Sequence, residues 1–225
     1  MLIRRVLWPV VLVVVVVASV NPVLAWRLQG ALRQTLATPF VNVRLIGWPA
    51  AVVSGRYVQI SIIAHRASAD GVVLDELAAQ LQNVQLDPVR AAAFGQLILR
   101  HIGGGQVTLR LLQEDVQRAL ENRSSVSGVV VKFADGLVRV SGTVSVLDAR
   151  ADVTLVGHLV VRDDREVVLD VETLNVVGLA VPPGVANVLI TPLNPLLTVD
   201  PLPVPLRLTG VEVKEGSAVV TAEPR

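Results

Sequence analysis

Apolar and polar residues alternate along most of the chain, and turn-forming residues interrupt the alternation at short intervals. Val41, Val43 and Leu45 alternate with Asn42 and Arg44 before Gly47-Trp48-Pro49, which predicts a strand and a break. Arg56 to Arg66 predicts a second strand, and Ala69-Asp70-Gly71 a turn. The stretch from Val72 to Leu86 reads two ways. Leu74, Leu77 and Leu81 suit a helix, whereas Val84 and Leu86 beside Gln85 suit a strand, and the strand is favoured. Gln96 to Ile102, the run Gly103-Gly104-Gly105 and Val107 to Leu111 predict a hairpin with a glycine turn. Asp135-Gly136, between Gly128–Phe133 and Leu137–Val146, is the strongest hairpin signal in the chain. Ala151 to Val161 and Glu166 to Val177 form a predicted ribbon that turns at Asp163-Asp164 and ends at Pro182-Pro183-Gly184. Val185 to Leu197, cut by Pro192 and Pro195, predicts at most a short helix and an irregular crossing. Arg207 to Val213 and Ser217 to Ala222 predict a last hairpin.

Two stretches follow the helical period instead. Leu28, Leu32 and Leu36 recur every fourth residue among Arg27, Gln29, Arg33 and Gln34, and Thr38-Pro39 ends the pattern. Leu112, Val116, Ala119 and Leu120 form a second stripe, with Glu114 and Asp115 in its first turn, where unpaired amides favour anions. Some strands are apolar on both parities: Val129-Val130-Val131, Val153 with Leu155-Val156, and Val167-Val168-Leu169. A half-exposed antiparallel sheet should alternate. These strands therefore suggest two dry faces, as in a curved sheet around helices or an apolar ligand; a sandwich with a Val-rich surface gives the same pattern. The expected class is α+β, mostly β.

Composition sharpens this picture. Hydrophobic residues make up 52% but aromatics only 3%, so the interior is aliphatic and rich in residues that favour strands. The formal net charge of +1 gives no electrostatic reason to expect nucleic acid as a partner. With no cysteine, disulfides, thiolate metal sites, Cys nucleophiles and a lipidated Cys are excluded. Arg4 and Arg5 precede an uncharged run from Val6 to Val20, and Val23-Leu24-Ala25 supplies small residues at cleavage spacing. This is the grammar of an export signal. The rival reading is an uncleaved anchor, since Val6 to Trp26 approaches the roughly 20 residues that cross a bilayer. Residues 1–25 are thus expected to be a signal or anchor helix, placing the rest in the periplasm or cell envelope. No composition shift marks a linker, so 26–225 is expected to be one domain.

The search for chemistry yields little. His65, His101 and His158 lie far apart and lack metal-ligand spacing. No nucleophile elbow, phosphate loop or dinucleotide fingerprint occurs. Asp163-Asp164 beside Arg162 and Arg165 reads as a solvated loop, Asp170 and Glu172 as an exposed strand face, and Ser124-Ser125 has no base nearby in sequence. Neither catalysis nor a cofactor is expected. Trp26 and Trp48 open the domain; tryptophan favours the boundary between apolar and wet surroundings, so both are candidates for a membrane-facing rim, with a core anchor as the alternative.

The order of segments then resembles a known family. An export signal and an amphipathic helix precede the strand GRYVQISIIA at 55–64. They are followed by DGVVLDEL at 70–77, LQNVQLD at 81–87 and VTLRLLQEDVQRAL at 107–120. LNPLL at 193–197, LP at 202–203 and the closing VEVKEGSAVV at 211–220 complete the series. Over roughly residues 26–222 this resembles the LmeA-like phospholipid-binding proteins of actinobacterial and related envelopes. The resemblance implies a tubular lipid-binding (TULIP-like) fold: a highly curved antiparallel sheet wrapped around one or two amphipathic helices, with an apolar groove for acyl chains. It also implies a non-catalytic binder, and possible carrier, of phospholipid or another anionic lipid at a membrane surface. Trp26, Leu28, Leu32, Leu36, Trp48, Val116 and Leu120 are the candidate lipid contacts, on the two stripes and the rim. A structural or protein-interaction module of the envelope is the alternative. An apolar tunnel would favour the lipid binder, and a filled core the module.

Overall fold

The structure, a computed structural model, describes residues 25–26, 28–30, 32–33, 36–38, 40–47, 54–87, 90, 98–123, 126–146, 149–177, 191–200, 202 and 204–225. Residues 1–24 of the segment expected to be a signal or anchor, Trp48, Ser124-Ser125, the Pro182-Pro183-Gly184 break and the stretch 185–190 lie outside the described residues. The described residues between 25 and 33 are helical (α1). Four strands follow: β1 (Phe40–Ile46), β2 (Arg56–Ala69), β3 (Val72–Leu86) and β4 (Leu99–Leu112). The helix α2 (Gln113–Arg123) leads into β5 (Ser127–Ala134), β6 (Leu137–Val146), β7 (Ala149–Arg162) and β8 (Glu166–Val176). A 3-10 turn at Thr191–Leu193, β9 (Leu197–Thr198), β10 (Leu206–Lys214) and β11 (Ser217–Pro224) complete the order. The fold is mostly β with two helices, as the sequence predicts, in a strongly curled antiparallel half-barrel. Its strands form two sheets, ordered β1-β2-β3-β4-β11-β10 and β5-β6-β7-β8-β9.

The tight turns sit where the sequence places them. Asp70-Gly71 and Asp135-Gly136 both have positive φ at each central residue, the geometry that matches the twist of paired strands. The two-way reading of Val72–Leu86 also resolves. It is one strand, and its helix-like spacing of three residues comes from two reversals of the inward face. Across β2 and β3 the buried pairs are Tyr57↔Val84, then Ile60↔Leu81, Ile62↔Ala79 and Ala64↔Leu77, then Ala67↔Leu74. Each reversal carries a left-handed residue, Asn83 (φ 49°) or Arg66 (φ 56°). Such irregularities bend a strand and increase its twist, so the sheet curls while its apolar side stays inward.

One predicted element is overturned. Gly103-Gly104-Gly105 is not a hairpin turn; it lies inside β4, with Gly104 opposite Gln82 and Gly105 opposite Leu81. The backbones approach so closely there that a Cβ on Gly105 would stand 2.3 Å from the Gln80 carbonyl oxygen. Glycine marks close approach at this position, not a reversal. The expectation of two dry faces holds only in part. Val167, Val168 and Leu169 are all buried, but Val130 is exposed and Val156 half-buried.

α2 joins the sheets. Val116, Ala119 and Leu120 are buried, and the helix packs on β3, β4 and β5. Gln113 and Gln117, one turn apart, accept hydrogen bonds from the Phe133 and Val131 amides on the outer edge of β5, so helix side chains cap an edge that would otherwise be open. Asp115 is drawn further inward than the sequence suggests. Its carboxylate has no exposed surface and receives both Arg66 guanidinium nitrogens, at 2.5 and 3.0 Å, and Arg118 Nη1 at 2.7 Å. The hydrogen bond to Asp115 raises the Arg66 pKa.

The LNPLL segment closes another edge. The Asn194 side chain accepts from the Leu169 amide at 2.8 Å and donates to the Leu169 carbonyl at 2.9 Å, as a paired strand residue would. Asn194→Ala removes both bonds and should cost about 2 kcal/mol. Urea unfolding is expected to show the lower midpoint with an unchanged slope.

Candidate functional site

The interior of the half-barrel is one continuous cluster, mostly of Leu, Val, Ile and Ala side chains with Tyr57 and Phe133 among them, drawn from both sheets and both helices. The buried polar or charged residues among those described are Thr38, Asp87, Asp115 and Ser217. Leu28, Leu32 and Leu36 of the first stripe are buried, at 2% exposure or less. Leu32 and Leu36 face Ile62, Leu77, Ala79 and Val107 of the first sheet, and Leu202, Val204 and Leu206 near β10. Two hydrogen bonds tie the end of this segment to β2: the Ser68 amide donates to the Leu36 carbonyl at 2.9 Å, and the Thr38 hydroxyl donates to the His65 carbonyl.

The structure brings five of the candidate contacts together. Leu28, Leu32, Leu36, Val116 and Leu120 all join the same core. Trp26 stands apart, 65% exposed. Two small spaces lie within this core among the described residues: one of about 20 Å³ between α1 and the sheet, and one of about 10 Å³ among Val126, Val129, Val140, Gly142, Val153, Leu155 and Leu193. Either holds roughly one water-sized group. Both are seams between closely packed side chains.

One polar group stands out in it. Tyr57 is 2% exposed, and among the described residues its hydroxyl is the buried side-chain oxygen or nitrogen that lacks a hydrogen-bond partner. Burial raises its pKa, which keeps the phenol neutral. A buried hydroxyl without a partner costs on the order of 1–3 kcal/mol. Sequence reasoning passed over Tyr57 because nothing local distinguishes it from any aromatic on a strand. It also missed the Arg66–Asp115 contact, whose partners lie 49 residues apart. The three histidines are exposed; His158 and Glu172 approach to 3.2 Å on the outer face of the second sheet.

Comparison with known proteins decides the family. The model of the LmeA-like phospholipid-binding family matches residues 13–223. The chain belongs to that family. The match spans both sheets and both helices, so the LmeA-like assignment concerns the whole half-barrel and not one motif. Neither a curated protein nor a solved structure matches the chain. Membership makes phospholipid the partner class that this aliphatic interior is to be judged against.

Proposed function

We propose that this protein binds the acyl chains of a phospholipid, or a related anionic lipid, between the curled sheet and its helices, without catalysis, and that it does so in the cell envelope after export. Family membership carries this reading. The chemistry of the interior supports it: each methylene removed from water contributes about 0.8 kcal/mol, and a mostly aliphatic lining needs no specific polar contact to hold a chain. The seam lined by Leu32, Leu36, Ile62 and Val107 is where a chain would enter, with α1 displaced and still tied to β2 at Leu36 and Thr38. The Tyr57 hydroxyl would then meet the ester region of the lipid. Release to a second membrane would make the protein a carrier.

A second reading has its own observation. The packed core, with voids of only about 20 and 10 Å³, is what a structural or protein-interaction module of the envelope would show. Tyr57→Phe separates the two. Removing an unsatisfied hydroxyl should stabilise the lipid-free protein by about 1 kcal/mol in either case. Under the lipid reading it also lowers the phospholipid recovered with the purified protein several-fold; unchanged recovery removes Tyr57 from the site, and no lipid with either protein supports the module.

A further inference from the structure

The outer face of the first sheet differs in kind from that of the second. Register sets its rows across four strands: Phe40, His65, Glu76 and Arg110; then Asn42, Ile63, Ala78 and Thr108; then Arg44, Ser61, Gln80 and Gln106; then Ile46, Gln59, Gln82 and Gly104. Beyond them stand Arg56, Gln85 and His101. Neither β1 nor β2 contains a carboxylate. The single acid in these rows, Glu76, sits at one end between His65 and Arg110. Arg44 and Arg56 form no ion pair among the described residues.

Large apolar side chains are exposed on the same face. Phe40 is 64% exposed, Val58 53%, Ile46 46% and Ile63 42%. Near Arg56 the face hollows into a recess of about 400 Å³ that Val58, Asn83, Gln85 and His101 help to line, beside the glycines of β4. The second sheet also exposes Val130 and Val160, and a recess of about 410 Å³ opens beside Lys132 and Arg139, but on β7 and β8 its outer face carries Asp152, Asp170 and Glu172.

We propose that the outer face of β1–β4 is a docking surface for an anionic bilayer. This rests on the reading of the protein as one that meets membrane lipid, and it names the side that does so. The rows cover roughly 30 by 14 Å at ordinary strand spacings. Arginines and a few apolar side chains on an otherwise Gln, Ser, Thr and Ala surface suit the headgroup boundary, where cations meet anionic lipid and apolar tips reach the acyl region. Glu76 and Asp75, which lies 3.9 Å from Arg110, stand at one end of the face; around Arg44 and Arg56 no acid interrupts the positive sign, and that stretch favours a lipid surface over a protein partner.

The absence of native cysteine allows a clean test on the full chain. Single variants Ile63→Cys and Val160→Cys are labelled with a polarity-sensitive fluorophore and mixed with vesicles of phosphatidylcholine alone or with 30% phosphatidylglycerol, about the charge density that gives a natural surface potential. The Ile63 label should shift to the blue and resist an aqueous quencher only on the anionic vesicles, while the Val160 label stays in water. Arg44→Gln with Arg56→Gln should weaken this response roughly 30-fold at low salt, about fivefold for each arginine and more again on removing both. An Ile63 label that stays wet on anionic vesicles overturns the docking face, as does an equal response from Val160. Phospholipid extracted from the same unlabelled protein is measured in parallel. Lipid present with a silent Ile63 label refutes the docking face alone; lipid absent refutes the interior site.

Discussion

Gly105→Ala is expected to be the most destabilising single substitution. The new methyl carbon would sit 2.3 Å from the Gln80 carbonyl oxygen and 2.9 Å from Leu81 Cα. Both are backbone atoms in the middle of β3, so no side chain can swing aside to relieve the contact. The backbone at Gly105 has a φ of +154°, which adds strain for any residue with a Cβ. Relief would require β3 and β4 to separate where they pair most extensively, beside Leu81 and Leu109, which are fully buried. A cost of about 4 kcal/mol or more takes a large share of the 5–15 kcal/mol that holds an ordinary domain together. Circular dichroism and urea unfolding of the purified variant would show it. Gly104→Ala is the control: nothing lies within 4 Å of a Cβ there, and its stability should stay within about 1 kcal/mol of the parent.

The next largest effect is expected at Asp115. Asp115→Ala removes the acceptor that holds Arg66 on β2 to α2, and should cost about 2–3 kcal/mol. That is below the cost of stranding a fully buried charge, because Arg66 is 42% exposed and water replaces the lost carboxylate. Arg66→Met does the reverse. It leaves a carboxylate without exposed surface paired with Arg118 alone, and should cost at least as much. The double variant should be less destabilised than the sum of the two, since neither charge is then left uncompensated. Urea midpoints across the cycle read the coupling. Strict additivity would mean that α2 is held by its apolar stripe and its glutamines without help from the ion pair.

The fold was legible where local chemistry and tertiary structure agree. The Asp-Gly turns, the alternation in β1, the stripe of α2 and the closing β10–β11 hairpin are all local signals, and each formed where expected. The glycine run misled because glycine serves two purposes, reversal and close approach, and only the strand packed opposite tells them apart. The spacing of Leu74, Leu77 and Leu81 was ambiguous for a related reason: a left-handed residue in the paired strand turns a period of two into a step of three. Of the candidate contacts, the buried ones were legible from amphipathic spacing. Spacing alone does not separate a residue that packs from one that holds a ligand. Tyr57 and Asp115 were invisible for the opposite reason, since their roles depend on partners, or the lack of them, far away in the chain.

Native mass spectrometry of the purified protein is the measurement that decides whether its interior holds lipid. The seam between α1 and the sheet holds only about 20 Å³, so a chain bound there must open it and remain through purification. The account predicts a stoichiometric adduct of phospholipid mass, released by solvent extraction and restored on incubation with anionic vesicles. A bare chain mass that persists after that incubation would contradict it, and would leave a half-barrel that holds no lipid.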